Sequence, residues 1–246
     1  MDLANEVGVS TRHLSFVETG RARPSPELVL ALAHHLEVPL REQNALLLAA
    51  GYAPRFSQAD LDEPAMQLVR ASIQRMLDAH HPYPGVAVDR QWNLVSSNAA
   101  ALMLIDGVAS ELLGPPTNVY RLSLHPDGLA QRTANFDEWA PHLLRQLERS
   151  VLLTGDPAVA ELLEEVMAYP SVQALELTVP PLDGDPPTVL LPLRLSTPLG
   201  EVSLFTTLTT FGTPLDVTVE ELVIELFFPA DETSERLLRQ LSAAAP

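Results

Sequence analysis

The chain has 246 residues, with 32 acidic against 15 basic side chains and a formal charge of −17. That excess excludes non-specific adhesion of the chain as a whole to nucleic acid or anionic lipid, so any nucleic-acid contact must be local. All 15 basic residues are arginine and cysteine is absent, which excludes Schiff-base lysines, lysine-bearing phosphate loops, thiol catalysis, disulfides and cysteine-based zinc sites.

Short helices come first in chain order. Asp2 to Val7 reads as one, Gly8 as a turn, and Ser10 as the N-cap of a second that runs to about Glu18, with Gly20 as its terminator. Ser25 and Pro26 open a third, in which Leu28, Leu32 and Leu36 share one face, and Pro39 starts a fourth. The apolar run Ala45 to Ala50 meets Gly51 and then Pro54, which ends an all-α unit at residue 51 and leaves 52–63 as a linker. Residues 1–55 hold five arginines against six acids, so nearly all of the excess charge belongs to the remainder of the chain.

The second unit, 64–246, changes period. Met66, Val69, Ile73, Met76 and Leu77 predict a helix over 64–79. VAVD (86–89) and WNLVSS (92–97), about a turn at Arg90 and Gln91, predict a strand pair that leads into an alanine-rich helix. Helices are expected over 136–151 and 157–168, a loop at PPLDGDPP (180–187), and a second hairpin from 188–196 and 201–210. A strand over 217–228 places Leu222, Ile224, Leu226 and Phe228 at alternate positions, and Asp231 caps a last helix. The plan is α+β, one antiparallel sheet with helices collected on one face.

Within the first unit, Leu14 and Val17 lie three apart and face the core, which leaves Thr11, Arg12 and Ser15 on the outer face of the helix that Ser10 caps. Arg12 can read a guanine or grip phosphate, and Arg21 and Arg23 suit phosphate contacts that position without reading sequence. The segment GVSTRHLSFVETGRARPSPELVLALA (8–33) resembles the helix-turn-helix of the Xre family. The resemblance implies a double-stranded DNA partner, contacted by Ser10, Thr11, Arg12, Ser15, Arg21 and Arg23, and homodimers on paired half-sites. In that family the module opens with a further helix, so the head is expected to be N-terminally incomplete. A helix pair that docks a protein is the other reading of these residues.

Residues 86–101 (VAVDRQWNLVSSNAAA) are similar to the opening of a PAS-type sensor domain. NVYRLSLHPDG (118–128), NFDEW (135–139) and the block from Leu199 to Asp231 resemble the ligand-binding domain of MmyB-like transcription regulators. What the resemblance implies is a multi-domain regulator: an all-α DNA-binding head followed by an α+β, PAS-like domain that takes a small apolar ligand of the fatty-acid type. Trp92, Met103, Leu104, Phe205 and Phe211 are the large apolar candidates for a pocket wall, with ordinary core as the alternative for each. Asn118, Arg121 and His125 fall at i, i+3, i+7 along one side of a helix that Pro126 ends, where Arg121 can pair with a ligand carboxylate. The alternative pairs Arg121 with an acid of its own domain and lets His125 cap a turn.

No GxSxG elbow, HExxH pair or glycine-rich phosphate loop occurs in the sequence. His34 and His35 point about 100° apart on a helix and do not chelate one ion together, while His80 and His81 fall at a helix end. Glu164 with Glu165, and Glu220 with Glu221, read as solvated acids. No catalysis, metal or cofactor is therefore expected, and a ligand-binding or dimerisation module without DNA binding is the main rival, ahead of a hydrolase. No apolar run reaches the roughly 18 residues of a membrane span, and Asp2 and Glu6 stand where a signal peptide needs positive charge. A cytoplasmic protein is expected.

Overall fold

The computed structural model describes residues 2–175 and 189–244. Helices α1 (Asp2–Glu6), α2 (Thr11–Glu18), α3 (Pro26–His35) and α4 (Leu40–Ala49) precede α5 (Gln67–Ala79). Strands β1 (Gly85–Val88) and β2 (Leu94–Ser97) lead into α6 (Ala99–Leu104) and α7 (Val119–Leu124). Then come α8 (Phe136–Thr154), α9 (Pro157–Met167), α10 (Pro170–Gln173), β3 (Leu193–Thr197), β4 (Gly200–Thr209), α11 (Val217–Glu220), β5 (Val223–Pro229) and α12 (Glu232–Ala244). The loop expected at 180–187 lies outside the described residues.

Two compact units result, one comprising Met1–Val69 with Phe211–Glu221, the other Arg70–Thr210 with Leu222–Pro246. The first unit follows its punctuation. Ser10 and Ser25 cap α2 and α3 by accepting from the His13 and Leu28 amides at 3.1 and 3.2 Å, and Gly8 turns the chain between α1 and α2 with φ +73°. Ala4, Leu28, Val29, Ala33, Leu40 and Leu47 are buried. The inward face of α3 runs through Leu28, Val29 and Ala33, and Leu36, at the C-cap, is 59% exposed.

Residues 52–63 are fastened along this unit. Asn44 bridges the stretch, accepting from the Arg55 and Phe56 amides at 2.9 and 3.0 Å and donating to the Phe56 carbonyl at 2.8 Å. The segment between β4 and β5 belongs here as well. Asp216 accepts from the Ser57 hydroxyl at 2.6 Å and the Ala59 amide at 3.1 Å. Arg41 holds Glu221 through two bonds of 2.6 and 2.8 Å, and Glu220 accepts from the Leu40 amide at 2.7 Å. Part of the strand expected over 217–228 is therefore a helical turn, because Asp216 caps it by accepting from the Thr218 amide at 2.8 Å. Pairing in β5 starts only at Val223.

The second unit is built on one antiparallel sheet of order β2-β1-β5-β4-β3. Its two outer pairs are the expected hairpins, and β5 inserts between them. The third strand begins at Leu193, because Pro192 has no N–H for the ladder, and residue 188, the expected start, lies outside the described residues. Alternation divides β5, Ile224, Leu226 and Phe228 facing one way and Glu225 and Phe227 the other. Helices pack on both faces, which corrects the one-face expectation. Leu77 of α5 lies over Gly85, leaving only 3.1 Å to where a β-carbon would stand, and on that face His80 meets the Phe228 ring at 4.8 Å. On the other face α6, α7 and α8 border the strands.

Asn98 joins three of these elements. Its side-chain oxygen accepts from the amides of Gly85 (3.1 Å) and Ala101 (3.0 Å), and its nitrogen donates to the carbonyls of Leu77 (3.0 Å) and Tyr83 (2.8 Å). All four polar capacities are used at a residue only 3% exposed. Asn98→Ala leaves these backbone groups without partners and is expected to cost about 3 kcal/mol, read from the midpoint of urea unfolding. Asn98→Asp, which keeps the acceptor and loses the donors, falls between the two.

Candidate functional site

A cavity of about 950 Å³, counting its open mouth, lies between the inner face of the sheet and helices α6, α7 and α8. The strands contribute Val86, Leu94, Ser97, Leu193, Leu195, Glu225 and Phe227. The helices contribute, among others, Leu104, Tyr120, Trp139 and Leu143. The cavity is not a packing gap within one core but the space between two. One core groups Tyr120 with Leu124, Leu144 and Val159, and the other groups Leu104 and Trp139 with Leu195 and Leu204. An apolar pocket with a few polar groups suits a small hydrophobic ligand.

Asn118 sets the geometry of one wall. It is 2% exposed and caps α7, accepting from the Tyr120 and Arg121 amides at 3.1 and 3.3 Å. Its nitrogen donates to the Gln91 carbonyl at 2.8 Å and to Asn93 at 3.1 Å, which ties the helix to the β1–β2 turn. In that turn Asp89 accepts from the Gln91 and Asn93 amides at 2.8 and 2.9 Å. The turn holds Trp92 at φ +64°, a left-handed conformation that costs a non-glycine residue about 1 kcal/mol or more. The indole then meets the Tyr120 ring edge to face with centroids 5.2 Å apart.

Of the residues expected in the pocket, Trp92 and Leu104 line it. Met103, Asn118, Arg121, His125, Phe205 and Phe211 are not among the lining residues. Asn118 and His125 are the caps of a short helix rather than points along a long one. Arg121 is paired with Glu165 through bonds of 2.7 to 3.0 Å, raising the guanidinium's pKa and lowering the carboxyl's. His125 accepts from the Asp127 amide at 3.1 Å and packs against Tyr169. The ion pair and turn cap are thus the roles the geometry gives this pair. Phe205 stacks on Phe228 at 5.4 Å, on the sheet face that carries α5, and Phe211 belongs to the first unit.

The cavity holds two groups that sequence reasoning passed over. Glu225 faces it from the central strand, and burial pushes its carboxyl up to about 7, against the opposing effect of the Thr206 hydroxyl. Tyr120 is 2% exposed, and its hydroxyl is closed off from solvent with no hydrogen-bond partner among the described residues. Burial and the Glu225 charge both push the phenol up, so it stays a donor. A signal was present for Glu225, the one charged residue in LVIELFFPA (222–230).

On the first unit Thr11, Arg12 and Ser15 are exposed together on α2, and Leu14 and Val17 are half-buried beneath them. Ser10 is engaged as the cap. Arg12 lies over the Phe16 ring, 5.3 Å from its centroid. Arg21 is exposed nearby, whereas Arg23 donates to the Ala50 and Gly51 carbonyls at 2.8 and 2.9 Å and stacks on Tyr52. Gly51 permits that clamp, because a β-carbon there would stand 2.6 Å from the guanidinium. The paired histidines go to different partners: His35 to Glu6, His80 to the Phe227 carbonyl and His81 to Ser242. Among the described residues no group of three or more His, Asp or Glu is placed to hold a metal, and no helix is long and apolar enough to cross a membrane.

Glu225 makes stability depend on pH. An acid whose pKa rises on folding binds its proton more tightly in the folded state, so its cost is absent below 4.5, grows up to about 7 and is constant above. Glu225→Gln is therefore expected to stabilise the protein by about 3 kcal/mol at pH 8 and not at pH 4, measured by chemical denaturation at both.

Residues 2–43 match the helix-turn-helix family model. Residues 69–241 match the model of the MmyB-like transcription regulator ligand binding domain. No curated protein matches the chain. Both families are domains of transcription regulators. With the ligand-binding match spanning more than half of its length, the chain belongs to the MmyB-like transcription regulators, DNA-binding proteins with a ligand-sensing domain.

Proposed function

We propose that this regulator recognises a specific duplex sequence through α2 and senses a small apolar ligand of the fatty-acid type in the cavity of its second unit. The cavity carries the reading: a space lined chiefly by aliphatic and aromatic side chains, in a chain that also holds a helix-turn-helix. Thr11, Arg12 and Ser15 face outward together and read base edges, Arg21 grips phosphate, and Ser10 and Arg23 hold the module in shape. Two copies bind two half-sites as a homodimer. Occupancy reaches the head along the chain itself, because the connection between β4 and β5 is part of the first unit, where Arg41 holds Glu221.

Native mass spectrometry of the purified protein should show a co-purified lipid, and single-chain amphiphiles should raise the melting temperature by several degrees. An empty pocket with no thermal shift refutes the sensing role. On the DNA side, Arg12→Ala is expected to weaken binding to a selected operator about tenfold or more and to random duplex much less. An equal loss on both makes Arg12 a phosphate contact. Arg41→Ala should leave operator affinity near the parent value while removing its dependence on the amphiphile, as read by fluorescence anisotropy with and without it.

A further inference from the structure

The cavity has a polar end that its apolar character does not explain. Glu225 lies on the central strand, between Val86 of β1 and Leu208 of β4 in the ladder, and it lines the cavity. Tyr120, on the facing helix, lines the same cavity, and its buried hydroxyl has no partner among the described residues. A buried phenol with nothing to donate to is costly, and such groups persist where a ligand completes them. The remaining polar lining, Ser97, Ser123 and Gln146, is uncharged, and among the described residues no arginine or histidine lines the cavity. Arg121, the nearest expected counter-charge for a carboxylate, is committed to Glu165.

An anionic head group brought into this space would meet a carboxyl and no cation. A hydroxyl meets what it needs, an acceptor or acid in Glu225 and a donor in Tyr120. We propose that Glu225 and Tyr120 form the head-group site of the cavity, and that this site takes an uncharged, hydroxyl-bearing end, an alcohol or a carboxylic acid that has kept its proton, and rejects permanent anions. This rests on the sensing role proposed above and assigns the chemistry of its ligand. The hydrocarbon chain then lies along Leu104, Leu143 and Leu195, and Tyr120 gains its missing acceptor on binding.

The test uses the full chain and four probes of equal chain length: dodecan-1-ol, dodecanoic acid, dodecane-1-sulfonate and dodecylammonium, each measured by calorimetry and by thermal shift below its micelle concentration. The alcohol should bind at least about a hundredfold more tightly than the sulfonate, with the acid between them. Tyr120→Phe should weaken the alcohol about five- to tenfold while leaving the unliganded melting temperature unchanged or higher, since the lost hydroxyl has no partner among the described residues. Glu225→Gln, which still offers a neutral donor and acceptor, should keep alcohol binding within about threefold of the parent, and Glu225→Leu should lose it. Sulfonate or ammonium binding as tightly as the alcohol, or a Tyr120→Phe variant that binds the alcohol like the parent, overturns the proposal. If all four probes bind alike, sensing of an apolar ligand survives and the head-group site does not. If none binds, both fall.

Discussion

The cavity of the second unit depends on a buried amide. Asn118 uses its oxygen to cap α7 and its nitrogen to hold the β1–β2 turn, and the two tasks are inseparable because each end of the amide offers only its own kind of bond. Cutting either leaves buried backbone groups unpaired, at about 1–3 kcal/mol each. Through this link the aromatic wall is set: α7 presents Tyr120, the turn presents Trp92 in its left-handed conformation, and the rings meet edge to face. Asn98 does for α5, β1 and α6 what Asn118 does for α7. The cavity therefore has walls fixed by hydrogen bonds at their edges.

Burial pushes the Glu225 carboxyl up to about 7, and among the described residues no counter-charge lines the space to return it to ordinary acidity. Natural cores avoid this arrangement, since an apolar residue on the inner face of β5 would pack better. At the centre of the sheet, facing the cavity that Tyr120 also lines, a carboxyl is a feature that core packing does not explain.

Local signals were legible in the sequence wherever the chemistry is local. Serine caps, positive-φ glycines and period-two runs placed the head helices and both hairpins to within a few residues, because each rests on bonds made between near neighbours. The match to a ligand-binding family was likewise carried by contiguous blocks. What was not legible depends on partners distant in sequence. Asn118 and Arg121 read as pocket candidates from their spacing along one side of a helix, with an acid of its own domain as the alternative partner of Arg121; only folding identifies Gln91, Asn93 and Glu165 as the partners. The alternation of Leu222, Ile224, Leu226 and Phe228 was correct, but it drew attention to the face away from the cavity, and Glu225 sits on the other one. Residues 217–220 carry strand-forming valine and threonine, yet the Asp216 cap overrides that preference over so short a stretch.

The charge partition follows the same division into units. A chain of −17 is a poor DNA partner on average, yet α2 carries its outward Thr11, Arg12 and Ser15 on a stretch where, from residue 12 to 23, three arginines meet one acid. Two of those arginines already have partners within the unit, Arg12 over Phe16 and Arg23 on the end of α4, so the positive field there belongs to a rigid surface and not to free side chains. Arg41 is different, since its charge is answered by Glu221 from the segment between β4 and β5. A bidentate, partly buried pair of this kind is worth on the order of 1–3 kcal/mol, the range over which allosteric couplings operate. Glu225 stands four residues further along the same chain, so the strand that lines the cavity and the carboxylate that pairs with Arg41 are one continuous piece of backbone.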